Sequence, residues 1–302
     1  MGTEIQLVST AQAAYGRQGR SSIRLSVEAG CACLSEAKLP VSGIDQLIFT
    51  GIYRDRHIGE PSIASLIHGS MAKQLSEPVP NHDFFCFDLS NGCCGFLQAI
   101  QLADAFIQQG RIKHGLIVAG DAPASEREKN SFPFTSAASA VLLSETDKKS
   151  GFRQFYSKTY PAFRNDLISQ LQWAIPPGEK SFRNILKIDT GKDFLKDCLA
   201  AARQSLQEFF SLTGTQAGDF DLIIPSVAPA GFGQLLSLEF DLVNKIVLPE
   251  PDWGQVHTAG LGFGLRKALN NGTFGKSGNI LFLAVGSGLT VAIAWYQKES
   301  GV

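Results

Sequence analysis

One combination of helix and strand occurs twice along the 302-residue chain, and this repetition is the strongest constraint on its fold. In the first copy, residues 103–120, a helical pattern leads into the apolar strand 115–120. In the second copy, residues 261–286, a helical pattern leads into the apolar strand 279–286. Because this period is far too long for a solenoid, we predict an internal duplication, with two similar halves related by a pseudo-two-fold axis.

The remaining apolar segments also alternate between helix and strand. Helical periodicity is found at 21–39, 62–75, 95–109 and 194–210, and short buried strands at 5–9, 46–50, 84–89, 138–144 and 220–225. This alternation predicts an α/β fold. A polar segment at 147–151 separates the two copies, so we expect an N-terminal half at residues 1–150 and a C-terminal half at residues 151–302.

The composition argues against several classes of function. Hydrophobic residues make up 44% of the chain and charged residues 18%, which is typical of a globular enzyme with a large core. The net charge is −1 and the basic residues are scattered, so we expect neither nucleic acid nor an anionic membrane as a partner. The first residues lack the pattern of a signal peptide and the apolar runs are too short to span a bilayer, which predicts a cytoplasmic location.

The six cysteines are expected to be reduced in such a compartment. Neither Cys31 with Cys33 nor Cys93 with Cys94 has the spacing of a zinc knuckle, and no second pair lies at a fitting distance. The sequence therefore predicts no metal site.

The segment 87–96, which reads Phe-Asp-Leu-Ser-Asn-Gly-Cys-Cys-Gly-Phe, carries the strongest chemical signal. A strand ends at Leu89, small and polar residues form a turn, and a helix begins near Gly95. Cys93 then lies at a helix N-terminus, where unpaired N–H groups and the helix dipole favour a thiolate. From these residues alone, a reactive thiol and a buried structural cysteine are equally supported.

This segment resembles the nucleophile segment of ketosynthase III enzymes of the thiolase superfamily, and the likeness continues to residue 121. The resemblance implies the layered α-β-α-β-α thiolase fold, an intimate dimer, and an acyl-accepting cysteine at Cys93. The glycine-rich segment 285–290 resembles the C-terminal turn of the family, which implies oxyanion-hole amides at Cys93 and Ser287. It further implies no tightly bound cofactor, with an acyl-CoA or acyl-ACP phosphopantetheine thioester as substrate.

Two positions depart from the family pattern. Ser226 stands where the family has its histidine, and Gln255 stands where it has its asparagine. Serine is not a base near neutral pH and glutamine can only form hydrogen bonds, so decarboxylative chain elongation is not favoured. His257 lies close by, and we weigh it equally as a general base in a shifted position and as a hydrogen-bonded loop histidine.

The N-terminal region departs as well. The family segment that shapes the coenzyme A entrance is largely absent, because the predicted helix at 21–39 follows the first strand closely. This favours an acyl carrier protein, or a partner enzyme, over free acyl-CoA as the donor. The charged loop 53–57 lines an entrance or dimer interface in one interpretation, and is a plain solvated loop in the one that we favour.

Three functions are weighed on this basis. The first is an acyltransferase that forms an acyl-thioester on Cys93 and passes the acyl group to a small-molecule or carrier acceptor, in secondary-metabolite or fatty-acid-related biosynthesis. The second is a ketosynthase III-type Claisen condensation in which His257 and Gln255 replace the usual pair. The third is a non-catalytic subunit that pairs with another ketosynthase-like chain. The expected assembly is accordingly a homodimer or a heterodimer.

Overall fold

The computed structural model describes residues 2–12, 21–78, 84–129, 131–175, 180 and 182–299. The strands are β1 (Gly2–Gln12), β2 (Gln46–Phe49), β3 (Phe85–Asp88), β4 (His114–Asp121), β5 (Ala137–Thr146), β6 (Gly151–Thr159), β7 (Leu167–Ala174), β8 (Arg183–Thr190), β9 (Leu222–Pro225), β10 (Asn279–Gly286) and β11 (Thr290–Gln297). The α-helices are α1 (Ser22–Ala37), α2 (Ile63–Gln74), α3 (Gly95–Gln108), α4 (Phe194–Thr213), α5 (Phe232–Glu239), α6 (Gly260–Asn270) and α7 (Thr273–Lys276). No helix within the described ranges is long and apolar enough to cross a bilayer.

The first half of the chain builds a five-stranded sheet in the order β1-β5-β4-β2-β3. Strands β4, β2 and β3 are parallel to one another. On one side of them, β5 pairs antiparallel with β4, and β1 pairs antiparallel with β5. Strand β2 is buried along its whole length, as expected for a parallel strand covered on both faces. The carboxyl ends of β2, β3 and β4 therefore meet at one edge of this sheet.

The second half builds a four-stranded sheet, β6-β11-β10-β9, on the same plan. Strands β9 and β10 are parallel, β11 pairs antiparallel with β10, and β6 pairs antiparallel with β11. The sequence α6–β10–β11 in this half corresponds to α3–β4–β5 in the first half. The predicted pseudo-symmetric arrangement is confirmed, while the exact boundary at residue 150 stays a prediction.

Helices and sheets alternate in five layers. Helices α1 and α2 cover the outer face of the first sheet, and α4 and α5 cover the outer face of the second. Helices α3 and α6 lie between the two sheets, in a core that contains side chains from both halves. The α-β-α-β-α arrangement that the resemblance implied is thus confirmed. Its central layer orients α3 so that the N-terminus of this helix lies at the carboxyl edge of the first sheet.

The hairpin of β7 and β8 was not predicted from the sequence, which suggested no element between residues 151 and 193. The two strands pair only with each other, and Leu171 faces Leu186 in the ladder. Several of their apolar side chains are exposed, Trp173 among them at 67%. The strands lack a clear alternation of buried and exposed positions, which explains why no pattern indicated them.

The charged loop 53–57 is packed more tightly than the favoured prediction of a solvated loop. Tyr53 is buried, and the Arg54 guanidinium lies 2.9 Å from the carboxylate of Asp88. The carboxylate of Asp55 accepts hydrogen bonds from the backbone and side chain of Ser22, at the start of α1. The solvated-loop prediction is wrong for Tyr53, Arg54 and Asp55. Residues 13–20, where the shortened N-terminal connection was predicted, lie outside the described residues.

The interlayer core makes the fold sensitive to loss of a single aromatic side chain. Phe282 on β10 is 1% exposed and belongs to the core between the two sheets. We expect Phe282→Ala to lower the free energy of unfolding by about 3–5 kcal/mol, because it removes buried apolar surface and leaves a cavity. Urea denaturation measures this change. Leu238→Ala, at a side chain that is 72% exposed, is the control and should change it by less than about 0.5 kcal/mol. Equal losses in the two variants would contradict the described core.

Candidate active site

Cys93 lies in the loop between β3 and α3. The amide N–H groups of Cys94 and Gly95 both donate to the carbonyl of Asn91, and this turn leads directly into the 14-residue helix. The Cys93 side chain is 4% exposed and lines a cavity of about 440 Å³. The thiol is therefore both sheltered and reachable, close to the positive end of a helix dipole.

The neighbouring Cys94 has a different environment. It is fully buried, and its Sγ lies 3.2 Å from the carbonyl of Thr290, to which it donates. Burial raises the pKa of the Cys94 thiol well above its ordinary value. Burial likewise raises the pKa of Cys198. Of the two adjacent cysteines, Cys93 faces the cavity and Cys94 is part of the packing between α3 and the second sheet.

The glycine-rich turn after β10 lies against the Cys93 loop. A Cβ atom added to Gly286 would lie 3.4 Å from the amide nitrogen of Cys93, and one added to Gly92 would lie 3.3 Å from the amide nitrogen of Ser287. Gly92 has a φ of +51°, a conformation that favours glycine. Small residues at these positions let the two backbones approach, and Cys93 and Ser287 both line the cavity.

His257 faces Cys93 from the second half of the chain. It begins a short 3-10 turn, His257–Ala259, and is 7% exposed in the wall of the same cavity. Its Nδ1 lies 2.8 Å from Oδ2 of Asp121, and its imidazole interacts electrostatically with Cys93, which lines the same cavity. The imidazole ring stacks on Phe134, with ring centroids 4.3 Å apart. The backbone φ of His257 is +33°, a strained value for a residue with a side chain.

Asp121, the last residue of β4, was missed by the sequence analysis. It is 1% exposed, and its Oδ1 accepts hydrogen bonds of 2.8 Å from the backbone N–H groups of Ile52 and Tyr53. Its Oδ2 accepts from the backbone N–H and the hydroxyl of Thr258 as well as from His257. An acidic residue at the carboxyl end of a buried strand was the available signal, but its partner is 136 residues away in the chain.

The buried pair has complementary pKa shifts. Burial by itself lowers the pKa of His257, but the opposing charges of Cys93 and Asp121 and the hydrogen bonds to both raise it to about 10. Burial by itself raises the pKa of Asp121, but the imidazolium and the hydrogen bonds from its donors outweigh burial and lower it. The arrangement therefore favours an ionised carboxylate beside a protonated imidazole.

Gln255 and Ser226, which the resemblance predicted at the positions of the family pair, lie in different surroundings. Gln255 lines the cavity that contains Cys93 and His257. Ser226 is 1% exposed, donates to the carbonyl of Ala228 at 3.1 Å and accepts from the N–H of Val285 at 3.3 Å. Its hydroxyl therefore forms hydrogen bonds with backbone groups near the end of β9. Cys93, His257, Gln255 and Ser287 meet in one cavity, whereas Ser226 is not among the residues that line it.

A second cavity, of about 350 Å³, reaches the same centre from another side. It is lined by Tyr53, Arg164 and Ser169, and it shares Leu167, His257 and Ser287 with the larger cavity. The shared Leu167 begins β7, so the β7–β8 hairpin contributes to the lining of both cavities. A reactant in either cavity could reach the imidazole. Within the described residues no group of three or more His, Cys, Asp or Glu side chains is arranged to hold a metal ion.

Comparison with known proteins shows similarity to one group of enzymes. A model of 3-oxoacyl-[acyl-carrier-protein (ACP)] synthase III matches residues 87–161, which include the Cys93 loop and Asp121. Beta-ketoacyl-[acyl-carrier-protein] synthase III of Clostridium perfringens is 23% identical over 280 residues, with 88% of this chain and 81% of the relative covered. The Aquifex aeolicus synthase III is 22% identical over 278 residues, with the same shares covered. The chain is thus similar to beta-ketoacyl-ACP synthase III enzymes over most of its length, at low identity.

Solved structures share its fold. The structure of 3-oxoacyl-[acyl-carrier-protein] synthase III from Aquifex aeolicus superimposes with a TM-score of 0.73 at 18% identity, covering 98% of this chain and 100% of that one. A cysteine-to-serine variant of Xanthomonas campestris OleA, solved with lauric acid and lauroyl-CoA, has a TM-score of 0.80 at 15% identity, covering 98% of this chain and 99% of that one. The thiolase fold implied by the resemblance is thus confirmed, and the low identity agrees with a divergent chain.

The cavity predicts which cysteine reacts with small electrophiles. We expect iodoacetamide at mildly alkaline pH to modify Cys93 first, because Cys93 lines the cavity together with His257. Burial raises the pKa of the competing thiols Cys31, Cys33, Cys86, Cys94 and Cys198. Peptide mass spectrometry locates the label, with Cys93→Ala as the control. Faster labelling of Cys94 than of Cys93 would show that the assignment of the two thiols is reversed.

Proposed function

We propose that this protein is an acyltransferase that carries its acyl group as a thioester on Cys93. The observation that supports the proposal is the contact between Cys93 and His257, a cysteine at a helix N-terminus beside a buried histidine in one cavity. In this proposal His257 carries out the proton transfer of the family histidine, whose position Ser226 occupies. The pathway that we propose is secondary-metabolite or fatty-acid-related biosynthesis.

In the first half of the reaction, the thiolate of Cys93 attacks the carbonyl carbon of the donor thioester. A bond from carbon to Cys93 Sγ forms, and the negative charge moves to the carbonyl oxygen, which the amides of Cys93 and Ser287 stabilise. The bond from carbon to the donor sulfur then breaks. The departing thiolate takes the proton from the imidazolium of His257, which leaves an acyl-enzyme and a neutral histidine.

In the second half, neutral His257 removes a proton from the hydroxyl or amine of the acceptor. The acceptor oxygen or nitrogen attacks the acyl carbon, and the bond from carbon to Cys93 Sγ breaks. Thiolate and imidazolium are restored together, so the cycle consumes no further reagent. The two cavities that meet at His257 and Ser287 allow the donor and the acceptor to use different approaches.

The mouth of the larger cavity supports an acyl carrier protein as the donor. Lys192 and Leu195 line both this cavity and a surface groove between α4 and α5. Lys196 and Arg203 add positive charge to the groove, and Leu199 lies in its wall; Arg203 also pairs with Glu239. A basic groove with an apolar wall is complementary to an acidic carrier whose thioester arm enters the cavity. Coenzyme A thioesters are the alternative donors, and the homodimer or heterodimer stays a prediction.

A ketosynthase III-type condensation is the second candidate. The relatives that match the chain carry that name, and Gln255 lines the cavity beside His257. A condensation that starts from a malonyl thioester releases carbon dioxide, whereas acyl transfer to a hydroxyl or amine does not. Release of carbon dioxide from malonyl-ACP or malonyl-CoA by the acyl-enzyme would therefore favour this candidate over the acyltransferase.

The acyl-enzyme is the first product to detect. We expect incubation with a panel of acyl-ACP and acyl-CoA thioesters to add the mass of one acyl group to the intact protein. The acyl group replaces the hydrogen of the Cys93 thiol, and the donor leaves as a free thiol. Intact-mass spectrometry measures the gain, and Cys93→Ala, whose side chain has no thiol, should show none. A Cys93→Ala protein that still turned over would refute the proposal. An unmodified wild-type protein with every donor would favour the non-catalytic subunit.

Removal of the proposed base should slow the discharge of the acyl group. We expect His257→Gln to lower the rate at which a hydroxyl or amine acceptor discharges the acyl-enzyme by roughly 10²- to 10⁴-fold, because no group then takes the acceptor proton. The rate is followed by loss of the acyl mass. Gln255→Ala serves as a comparison that changes the cavity wall without removing a base. An unchanged discharge rate in His257→Gln would exclude His257 as the base.

A further inference from the structure

Asp121 is the residue on which the position of His257 depends most directly. It joins three separate segments: the end of β4, the loop after β2 and the 3-10 turn that begins at His257. We propose that Asp121 is a positioning residue, which fixes the ring orientation and the tautomer of His257 so that Nε2 faces Cys93. The acid–base role of the pair rests on the proposed function, whereas the state of His257 can be measured without it.

The hydrogen bonds around Asp121 require a carboxylate. Its two oxygens accept from five donors, namely the N–H groups of Ile52, Tyr53 and Thr258, the hydroxyl of Thr258 and the Nδ1 of His257. A protonated carboxyl group would present a donor to groups that are themselves donors. Such a set of donors favours the charged form even in a buried position. Asp121 is therefore ionised, and the imidazole that bonds to it is its counter-charge.

The same contacts select one tautomer. With Nδ1 bonded to a carboxylate that only accepts, the proton must lie on Nδ1. Nε2 is then the ring nitrogen that remains to interact with Cys93. The stacking of the ring on Phe134 and its contact with Tyr53 hold the plane of the imidazole. The strained backbone at His257 is maintained by these contacts together with the Thr258 hydrogen bonds.

The titratable groups around His257 come from each element that surrounds it. Asp121 faces it from β4, Cys93 faces it from the loop before α3, and Tyr53 faces it from the loop after β2. Cys94 and Cys198 lie behind Cys93. Burial raises the pKa of Tyr53, Cys94 and Cys198, so these three stay neutral across the neutral range. Asp121 and Cys93 are then the groups that govern the charge of His257 among the described residues.

Replacing Asp121 with asparagine tests the proposal because the change preserves shape and removes the charge. If the amide oxygen takes the place of Oδ1, the NH₂ group faces His257 Nδ1, which must then accept. The proton moves to Nε2, and the neutral ring cannot take a proton from Cys93. If the amide oxygen takes the place of Oδ2, the NH₂ group faces the N–H groups of Ile52 and Tyr53. Donors then face donors, and the two backbone N–H groups lose their acceptor. In either orientation the imidazolium loses its counter-charge.

The readout is the pH dependence of the alkylation of Cys93 by iodoacetamide. In the wild type, the carboxylate of Asp121 keeps His257 protonated beside Cys93 over the neutral range, because it raises the pKa of the imidazole. In Asp121→Asn we expect the alkylation rate at neutral pH to fall by on the order of tenfold or more, because the imidazolium loses its counter-charge. Superimposable profiles of the two proteins would overturn the proposal.

Asp104→Asn is the matched control. Asp104 is a buried carboxylate toward the C-terminal end of α3, so the same exchange of acid for amide occurs away from the cavity. Its alkylation profile should match that of the wild type. If Asp104→Asn moved the profile as far as Asp121→Asn does, the effect would be a general consequence of the exchange and the positioning role would be refuted.

A measurement on the wild type keeps the proposal testable if Asp121→Asn fails to fold. In a protein labelled with ¹⁵N-histidine, we expect Nδ1 of His257 to carry a proton at neutral pH, because it donates to the carboxylate of Asp121. His257→Gln assigns the resonance by its disappearance. A ring protonated on Nε2 alone would overturn the proposal. Loss of acyl transfer with these signatures intact would refute the proposed function and leave the positioning role standing.

Discussion

The burial of α3 between two sheets is the constraint on which the rest of this structure depends. The helix is apolar around most of its circumference, and Phe96, Leu97 and Ile100 all contribute to the interlayer core. A helix of this kind is stable only where both of its sides are covered. The first sheet covers one side and the second sheet covers the other, so neither half of the chain completes the core alone. The N-terminus of α3, with Cys93 before it, is thereby held at the contact between the halves.

The site is assembled from both halves for the same reason. Cys93 and Asp121 follow strands of the first sheet, whereas His257 and Ser287 belong to the second half. The hydrogen bond between His257 and Asp121 joins residues 136 positions apart in the chain, at 2.8 Å. Such a bond holds only if the two sheets keep their relative position. The packing of the central layer therefore also fixes the relative positions of Cys93, Asp121 and His257.

A buried charge is costly unless it is paired and fully hydrogen-bonded, and Asp121 meets both conditions. Five donors, one of them the Nδ1 of His257, surround a carboxylate that is 1% exposed. The same network ties the loop after β2 to the turn at His257, so part of its contribution is structural. Solved relatives of the same fold are as little as 15% identical to this chain, which leaves room for a different set of polar residues on a shared backbone.

The amino-acid sequence by itself determined the elements around Cys93, the duplication and the loop that carries Cys93, because these depend on local periodicity and on neighbouring residues. The strands and helices predicted around Cys93 agree with β3 and α3, and the long apolar runs agree with β4 and β10. The hairpin of β7 and β8 escaped prediction because its strands are half-exposed and carry no clear period. Only the tertiary structure decided the environment of His257, which the sequence left equally open as a base or a loop residue. It also decided that Asp121 lies beside His257 and that the Ser226 hydroxyl serves the backbone. Contacts between residues more than a hundred positions apart are set by the packing of the layers, and no local pattern encodes them.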